Sequence, residues 1–260
     1  MGSYLGAIWR CRYFWLTLVK MDLRKRYRHS VLGMGWSLLH PIAMTVILCA
    51  VFHRLLGEPI EHYAPFLLAG LACWNYLVNV TLLGCQCLFQ GEMYIRQYPA
   101  PLAVYPLRTA LGEIIHFLVA LAIVMVLGWS IIGCGNMTAI LGLVVSVLLL
   151  FVLGWSLAVI AAFANVHFQD TQHLCDVGFK ILFYATPIIY EARLLRDNNL
   201  AWVVNYNPLV PFLELIRYPI LKGQAPSLLT FAAAGGTVLL TSGVAAVILA
   251  RLERRLIFHL

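Results

Sequence analysis

The chain has 260 residues, 62% of them hydrophobic and 11% charged, with a net charge of +7; soluble domains run at roughly 45–50% apolar and about 25% charged. Its mean hydropathy is +0.86. The 18 Lys+Arg and 11 Asp+Glu cannot cover a water-facing surface of this size, which excludes soluble catalytic domains, disordered tails and repeat arrays and leaves an all-α integral membrane protein.

Residues 1–30 carry seven Lys/Arg and lack the short apolar core and small-residue cleavage site of a signal peptide, so this segment is expected to stay on the mature protein. Residues 4–29 mix Trp9, Tyr13, Phe14, Trp15, Leu16, Leu18, Val19 and Leu23 with Arg10, Arg12, Lys20 and the run Arg24-Lys25-Arg26-Tyr27-Arg28. Rings at headgroup level and basic side chains toward anionic lipid describe an amphipathic helix in the interface plane. The basic cluster alone would also suit the cytoplasmic flank of any first span; the aromatic half favours the interfacial helix.

A bilayer core of about 30 Å takes about 20 apolar helical residues. Stretches free of charge place one span at about 31–53 and a second at about 64–88, and residues 114–169 hold two, divided at Gly133-Cys134-Gly135-Asn136. The last span lies at about 227–250. A less clean run ending at Thr186-Pro187-Ile188-Ile189-Tyr190 contains Lys180 and crosses only if it begins near Thr171 with the lysine snorkelling. Six spans with both termini cytoplasmic put 13 of the 18 basic residues inside and leave five on the outer side, facing five acids (Glu58, Glu61, Glu191, Asp197, Glu214), as the positive-inside rule requires. A seventh span over 200–220 is rejected, because Pro208, Pro211 and Pro219 interrupt it.

Between spans two and three, residues 89–106 predict a short helix ended by prolines, with Glu92 and Arg96 at i,i+4 ahead of Pro99-Ala100-Pro101. Such a helix could transmit force from a cytoplasmic partner or be a plain connection. Residues 191–226 are too broken to span and too apolar for water, which predicts a pair of short re-entrant helices turning at Asn205-Tyr206-Asn207-Pro208. Glu214 and Arg217, at i,i+3, are placed to neutralise each other there.

No catalytic constellation stands out. The chain has no phosphate-binding GxxxxGK[ST] loop, no HExxH and no GxSxG. The seven cysteines, including Cys85 and Cys87, have no metal-ligand spacing and read as small packing residues. His167, Asp170 and His173 form no expected metal site, and Glu113 is expected to pair with Arg108 at the cytoplasmic rim rather than relay protons. Without a ladder of buried charges for ion coupling, energy must come from elsewhere. The spans offer aromatic and small polar groups: Trp74, Asn75, Tyr76, Asn79, Thr81, Trp129, Trp155, Ser156, Tyr184 and Thr186. These suit sugar faces and hydroxyls, and equally an interfacial aromatic belt.

The stretch Asp22-Leu-Arg-Lys-Arg-Tyr-Arg-His-Ser-Val-Leu-Gly-Met-Gly-Trp-Ser-Leu-Leu-His-Pro41 resembles the opening of type-2 ABC exporter permeases. Tyr98-Pro99, Asn165-Val-His-Phe-Gln-Asp170, Thr186-Pro-Ile-Ile-Tyr190, Asn207-Pro-Leu-Val-Pro211 with Glu214 and Arg217, and Leu252-Glu-Arg-Arg255 follow in the family's order. The likeness covers essentially the whole chain and is closest to the O-antigen polysaccharide (Wzm-like) form. His167 and Gln169 stand where relatives often carry basic residues.

The resemblance implies a homodimer with six spans per chain and two separate nucleotide-binding ATPase subunits, which would carry ATP and Mg; this chain would bind no cofactor, no metal and no nucleic acid. Its cargo would be a lipid-linked polysaccharide, moved across the bacterial inner membrane. One transmembrane domain, 1–260, would divide into an interface helix (1–30), spans one to five (31–190), periplasmic gate helices (191–226), span six (227–250) and a cytoplasmic tail (251–260). The expected residues are Arg24, Arg26, Tyr27 and Arg28 in the interface helix; Glu92, Tyr94, Arg96, Tyr98 and Pro99 at the ATPase; Trp74, Tyr76, Asn79, Trp155 and Tyr184 along the channel; and Asn207, Pro208, Glu214, Arg217 and Tyr218 at the gate. Capsular polysaccharide, teichoic acid or a small hydrophobic drug are alternative cargoes. A membrane-embedded transferase on lipid-linked sugars is the reading from another class, and it lacks a carboxylate pair.

Overall fold

The computed structural model describes residues 2–28, 30, 33, 35–57, 59–98, 100–133, 135–197 and 200–256. Pro99, Cys134, Glu58, the first turn expected for span one at 31, 32 and 34, and the end of the tail at 257–260 lie outside the described residues. Among the described residues every regular element is an α-helix: α1 (Gly2–Arg10), α2 (Arg12–Tyr27), α3 (Gly35–Leu56), α4 (Ile60–Gln90), α5 (Glu92–Gln97), α6 (Val104–Ile132), α7 (Met137–His167), α8 (Thr171–Ala185), α9 (Ala192–Asp197), α10 (Ala201–Tyr206), α11 (Val210–Leu221) and α12 (Leu228–Leu256). Backbone groups in apolar surroundings must be satisfied within their own segment, and helices do this.

Five of them, α3, α4, α6, α7 and α12, are long and apolar enough to cross a membrane. The break expected near Gly133 falls between α6 and α7, with Gly133 at φ +83°, a left-handed conformation open to glycine. α8 begins at Thr171, where crossing required it to, but stops after 15 residues, a length of about 22 Å at 1.5 Å per residue. The stretch 186–190 continues it without helical structure.

α4 forms the centre. Its buried residues run from Tyr63 through Leu67, Cys73, Leu77 and Val80 to Leu88, packed against α3, α6, α7, α8 and α11. A small-residue crossing brings α4 and α7 together: a Cβ on Gly84 would sit 2.8 Å from the Ala158 Cα, so only glycine permits that approach. α3 and α12 lie outside, exposing Val46, Ile47 and Val51, and Leu239, Leu240 and Val247.

Four details differ from the sequence-based expectation. Residues 191–226 hold three short helices, α9, α10 and α11, in place of the expected pair. The N-terminal segment is two helices hinged at Cys11 (φ −85°, ψ 16°). Glu113 and Arg108 do not pair with each other: each reaches α2 instead, Arg108 to Asp22 and Glu113 to Arg26. Arg217 does not pair with Glu214, because its guanidinium turns inward to backbone carbonyls.

Candidate functional site

One end of the bundle gathers the start of α1 and the end of α12 around the connection that leaves α5. Within α5, Arg96 Nη2 meets Glu92 Oε1 at 2.8 Å, one helical turn away. Phe14 of α2 packs on Tyr94 and Tyr98, with centroids 6.2 and 5.2 Å apart, so the short helix is braced from the N-terminal segment. Met93, Arg96 and Tyr98 remain exposed. The connection from α5 to α6 is held by side chains: Leu102 N donates to Glu253 Oε1 of α12 at 2.8 Å, and Trp155 Nε1 of α7 donates to the Ala103 carbonyl at 3.3 Å. Tyr4 Oη also donates to Glu253 Oε1, at 3.0 Å. Burial, with the Glu253 charge as a second cause, pushes the Tyr4 phenol above its usual range.

Beside this end α2 lies along the first turns of α6. Asp22 accepts from both Arg108 Nε and Nη2, a bidentate pair. Arg26 Nη1 meets Glu113 Oε1 at 2.6 Å, and the Tyr27 hydroxyl lies 3.1 Å from His116 Nδ1. Arg24 and Arg28 are exposed. The Arg26–Glu113 and Tyr27–His116 pairs border a cavity of about 550 Å³ between α2, α3, α4 and α6, whose polar lining includes His40, Asn75 and Asn79, with Trp36 and Tyr76 beside them.

At the opposite end the unwound stretch after α8 is held by side-chain donors. Arg217, only 8% exposed, donates from Nη1 to the Pro187 carbonyl (2.7 Å), from Nη2 to that of Ile188 (2.8 Å) and from Nε to that of Phe66 (3.2 Å). Its guanidinium also lies 3.6 Å from the Phe66 ring centroid. Asn207 Nδ2 donates to Thr186 Oγ1 (2.8 Å) and to the Ala185 carbonyl (3.3 Å), while its Oδ1 accepts from Leu209 N. Tyr63 Oη donates to the Ile189 carbonyl at 2.7 Å. The carbonyls of Pro187, Ile188 and Ile189, which lack helical partners, are paired by side chains in this way, and that of Thr186 takes Ile188 N. A cavity of about 560 Å³ opens beside the clamp, lined by His62, Glu191, Arg193, Glu214, Tyr218 and Lys222 among others; Pro208 sits exposed in the turn between α10 and α11.

The five aromatic and amide residues expected along a channel are not gathered in one place within the chain. Trp74 packs edge-on against Phe179 and Phe183. Tyr76 is buried with its hydroxyl unpartnered, wedged against Gly154 where no Cβ would fit. Trp155 supports the α6 start, Asn79 borders the 550 Å³ cavity, and Tyr184 is 75% exposed. Asn165, which the sequence reading left without a role, joins α4 to the α7–α8 turn by donating to the Cys85 carbonyl (2.9 Å) and accepting from Gln172 N (3.3 Å). For Glu253 the one signal in the sequence is its place within the Leu252-Glu-Arg-Arg255 run.

Residues 13–221 match the family model described as ABC-2 type transporter. The chain is 23% identical over 208 residues, 80% of either chain, to the O-antigen export system permease protein RfbA of Klebsiella pneumoniae. It is 25% identical over 211 residues, 81% of either chain, to the protein of that name from Myxococcus xanthus. A polysialic acid transport protein, KpsM of Escherichia coli, aligns at 22% identity over 209 residues, 80% of this chain and 81% of its own. With its bundle of long apolar helices, this multi-pass membrane protein belongs to the ABC-2 type transporter family.

Proposed function

We propose that the chain is the channel-forming transmembrane subunit of an ATP-driven exporter that moves lipid-linked O-antigen polysaccharide across the bacterial inner membrane. The observation that carries this is the alignment to O-antigen export permeases over four fifths of both chains. Two copies would form the channel: the core of one copy is filled by side chains from Tyr63 through Leu77, Phe117 and Leu150 to Ala158, so a sugar polymer belongs between copies. Six spans follow if α8 and the extended 186–190 together make the fifth, with α9 to α11 dipping back from the periplasmic side and both termini in the cytoplasm.

In this arrangement two ATPase subunits, holding ATP and Mg, dock on Glu92, Tyr94, Arg96, Tyr98 and Pro99. Arg24, Arg26, Tyr27 and Arg28 carry the interface helix on the inner leaflet. Asn207, Pro208, Glu214, Arg217 and Tyr218 form the outer gate, and Asn79 and Tyr184, which already face outward, line the passage with Trp74, Tyr76 and Trp155 behind them. The test is reconstitution of the protein with its co-purifying ATPase subunit, in vesicles containing lipid-linked polysaccharide. ATP-dependent protection of the polymer from an external glycosidase supports the reading; an ATPase-free protein that modifies the lipid-linked sugar refutes it. The polysialic acid transport relative favours a polysaccharide of that acidic kind as a second cargo, and the same assay with each polymer separates the two.

A further inference from the structure

Glu253 stands at the one point where the end of α12, the start of α1 and the connection leaving α5 meet. Its Oε1 accepts from Tyr4 Oη at 3.0 Å and from Leu102 N at 2.8 Å, joining segments 249 and 151 positions away in sequence. Leu102 N precedes α6 and has no helical acceptor; the turn's own bonds begin with Val104 N to the Pro101 carbonyl. Pro101 has a fixed φ and offers no N–H, which stiffens the connection. The surroundings are packed: Ile8, Ala103, Val104 and Leu107 form a buried cluster with Tyr4, Trp15, Trp155 and Leu249 against it. On the other side of the connection α5 has no fully buried residue; its Tyr94 and Ile95 pack against the cluster of Leu88, Leu102 and Tyr105, and Phe14 braces it.

Resting on the transport reading above, we propose that Glu253 is a positioning residue that couples α5 to the rest of the bundle. A displacement of α5 by a bound partner reaches Leu102 through the stiff 98–101 connection, and the Glu253 carboxylate passes it to α12 and, through Tyr4, to α1. A hydrogen bond to a charged acceptor is stronger and more directional than a neutral one, so the three segments move as one piece. Without the carboxylate only the apolar contacts of Tyr94, Ile95 and Phe14 join α5 to α12 and the N-terminal segment, and less of the displacement is passed on.

The experiment uses the permease–ATPase complex in vesicles, with ATP hydrolysis and polymer movement measured on the same sample. Glu253→Ala is expected to assemble and to hydrolyse ATP at the wild-type rate while polymer moved per ATP falls about tenfold, the factor set by losing hydrogen bonds to a charged acceptor. Glu253→Gln, which keeps an acceptor oxygen but no charge, falls between. Tyr4→Phe removes one donor and no charge, so it tests the node even where Glu253→Ala does not assemble; it is expected to lower the ratio about threefold and to add nothing to Glu253→Ala. A polymer-to-ATP ratio within about twofold of wild type in Glu253→Ala, or hydrolysis and movement falling in equal proportion, overturns the proposal. A wild-type complex that hydrolyses ATP and moves no polymer sinks the transport reading instead. Limited proteolysis then decides for Glu253 alone: faster cleavage of the 98–103 segment in Glu253→Ala supports the node, and unchanged cleavage overturns it.

Discussion

Replacing Arg217 tests whether the unwound stretch after α8 is held by energy or merely by proximity. Its guanidinium makes three hydrogen bonds to carbonyls of two separate segments, and Arg217→Ala leaves those oxygens without a protein donor. Stranding buried acceptors costs roughly 1–3 kcal/mol each; with partial relaxation the loss comes to about 3–5 kcal/mol. A protein of this size shifts by roughly 2–4 °C per kcal/mol, so the melting temperature in detergent should fall by about 10 °C. Arg217→Lys should recover about half, since a point-like ammonium cannot span carbonyls that a planar fork reaches. Gly70→Ala should behave like Arg217→Ala, because a Cβ there occupies the space of the guanidinium, whereas Gly235→Ala, in open space, should be neutral. A melting temperature within about 2 °C of wild type for Arg217→Ala would refute the clamp, since the carbonyls would then have found other donors.

The α2–α6 ion pairs should be exchangeable: Asp22→Arg and Arg108→Asp each loosen α2 and raise its protease sensitivity, while the double exchange restores resistance, with a coupling of about 1 kcal/mol. Tyr4 donates to Glu253 only while protonated, and its folded pKa lies above the unfolded value near 10. Its contribution is therefore complete below about pH 10 and lost as pH rises through the folded value, so wild type and Tyr4→Phe should differ in melting temperature at pH 8 and converge in strong alkali. Arg96→Ala breaks an exposed i,i+4 pair worth a few tenths of a kcal/mol; melting should stay within about 1 °C while ATP-dependent export is lost, and retained export would remove Arg96 from the proposed ATPase contact.

The long helices were legible because the bilayer imposes length and composition on them, and those are properties of contiguous sequence. α4, α6, α7 and α12 contain the expected apolar stretches, and α8 begins at Thr171 as the snorkelling argument demanded. Contacts between distant segments were not legible. Spacing suggested Arg217 with Glu214 and Arg108 with Glu113, since neighbours on one helix are all that spacing can see. The actual partners, Phe66, Pro187 and Ile188 for Arg217 and Asp22 for Arg108, come from chain up to 151 positions away. The hinge at Cys11 had no signal, because neither Gly nor Pro marks it. The resemblance gave the order of the motifs and not their geometry: Asn207 and Arg217 both belong to the expected gate group, but that they converge on residues 185–188 is visible only in three dimensions.

The signs of the α2–α6 pairs alternate, acid to base at Asp22–Arg108 and base to acid at Arg26–Glu113. Sliding α2 by one turn in either direction sets like against like: Asp22 would face Glu113, or Arg26 would face Arg108. The seam is thus keyed, with one setting that fits and neighbouring settings that repel. A helix keyed in this way cannot creep along its neighbour by small steps. It rides with α6 or lets go of it, so whatever acts on the N-terminal segment is answered by a discrete change rather than a graded one.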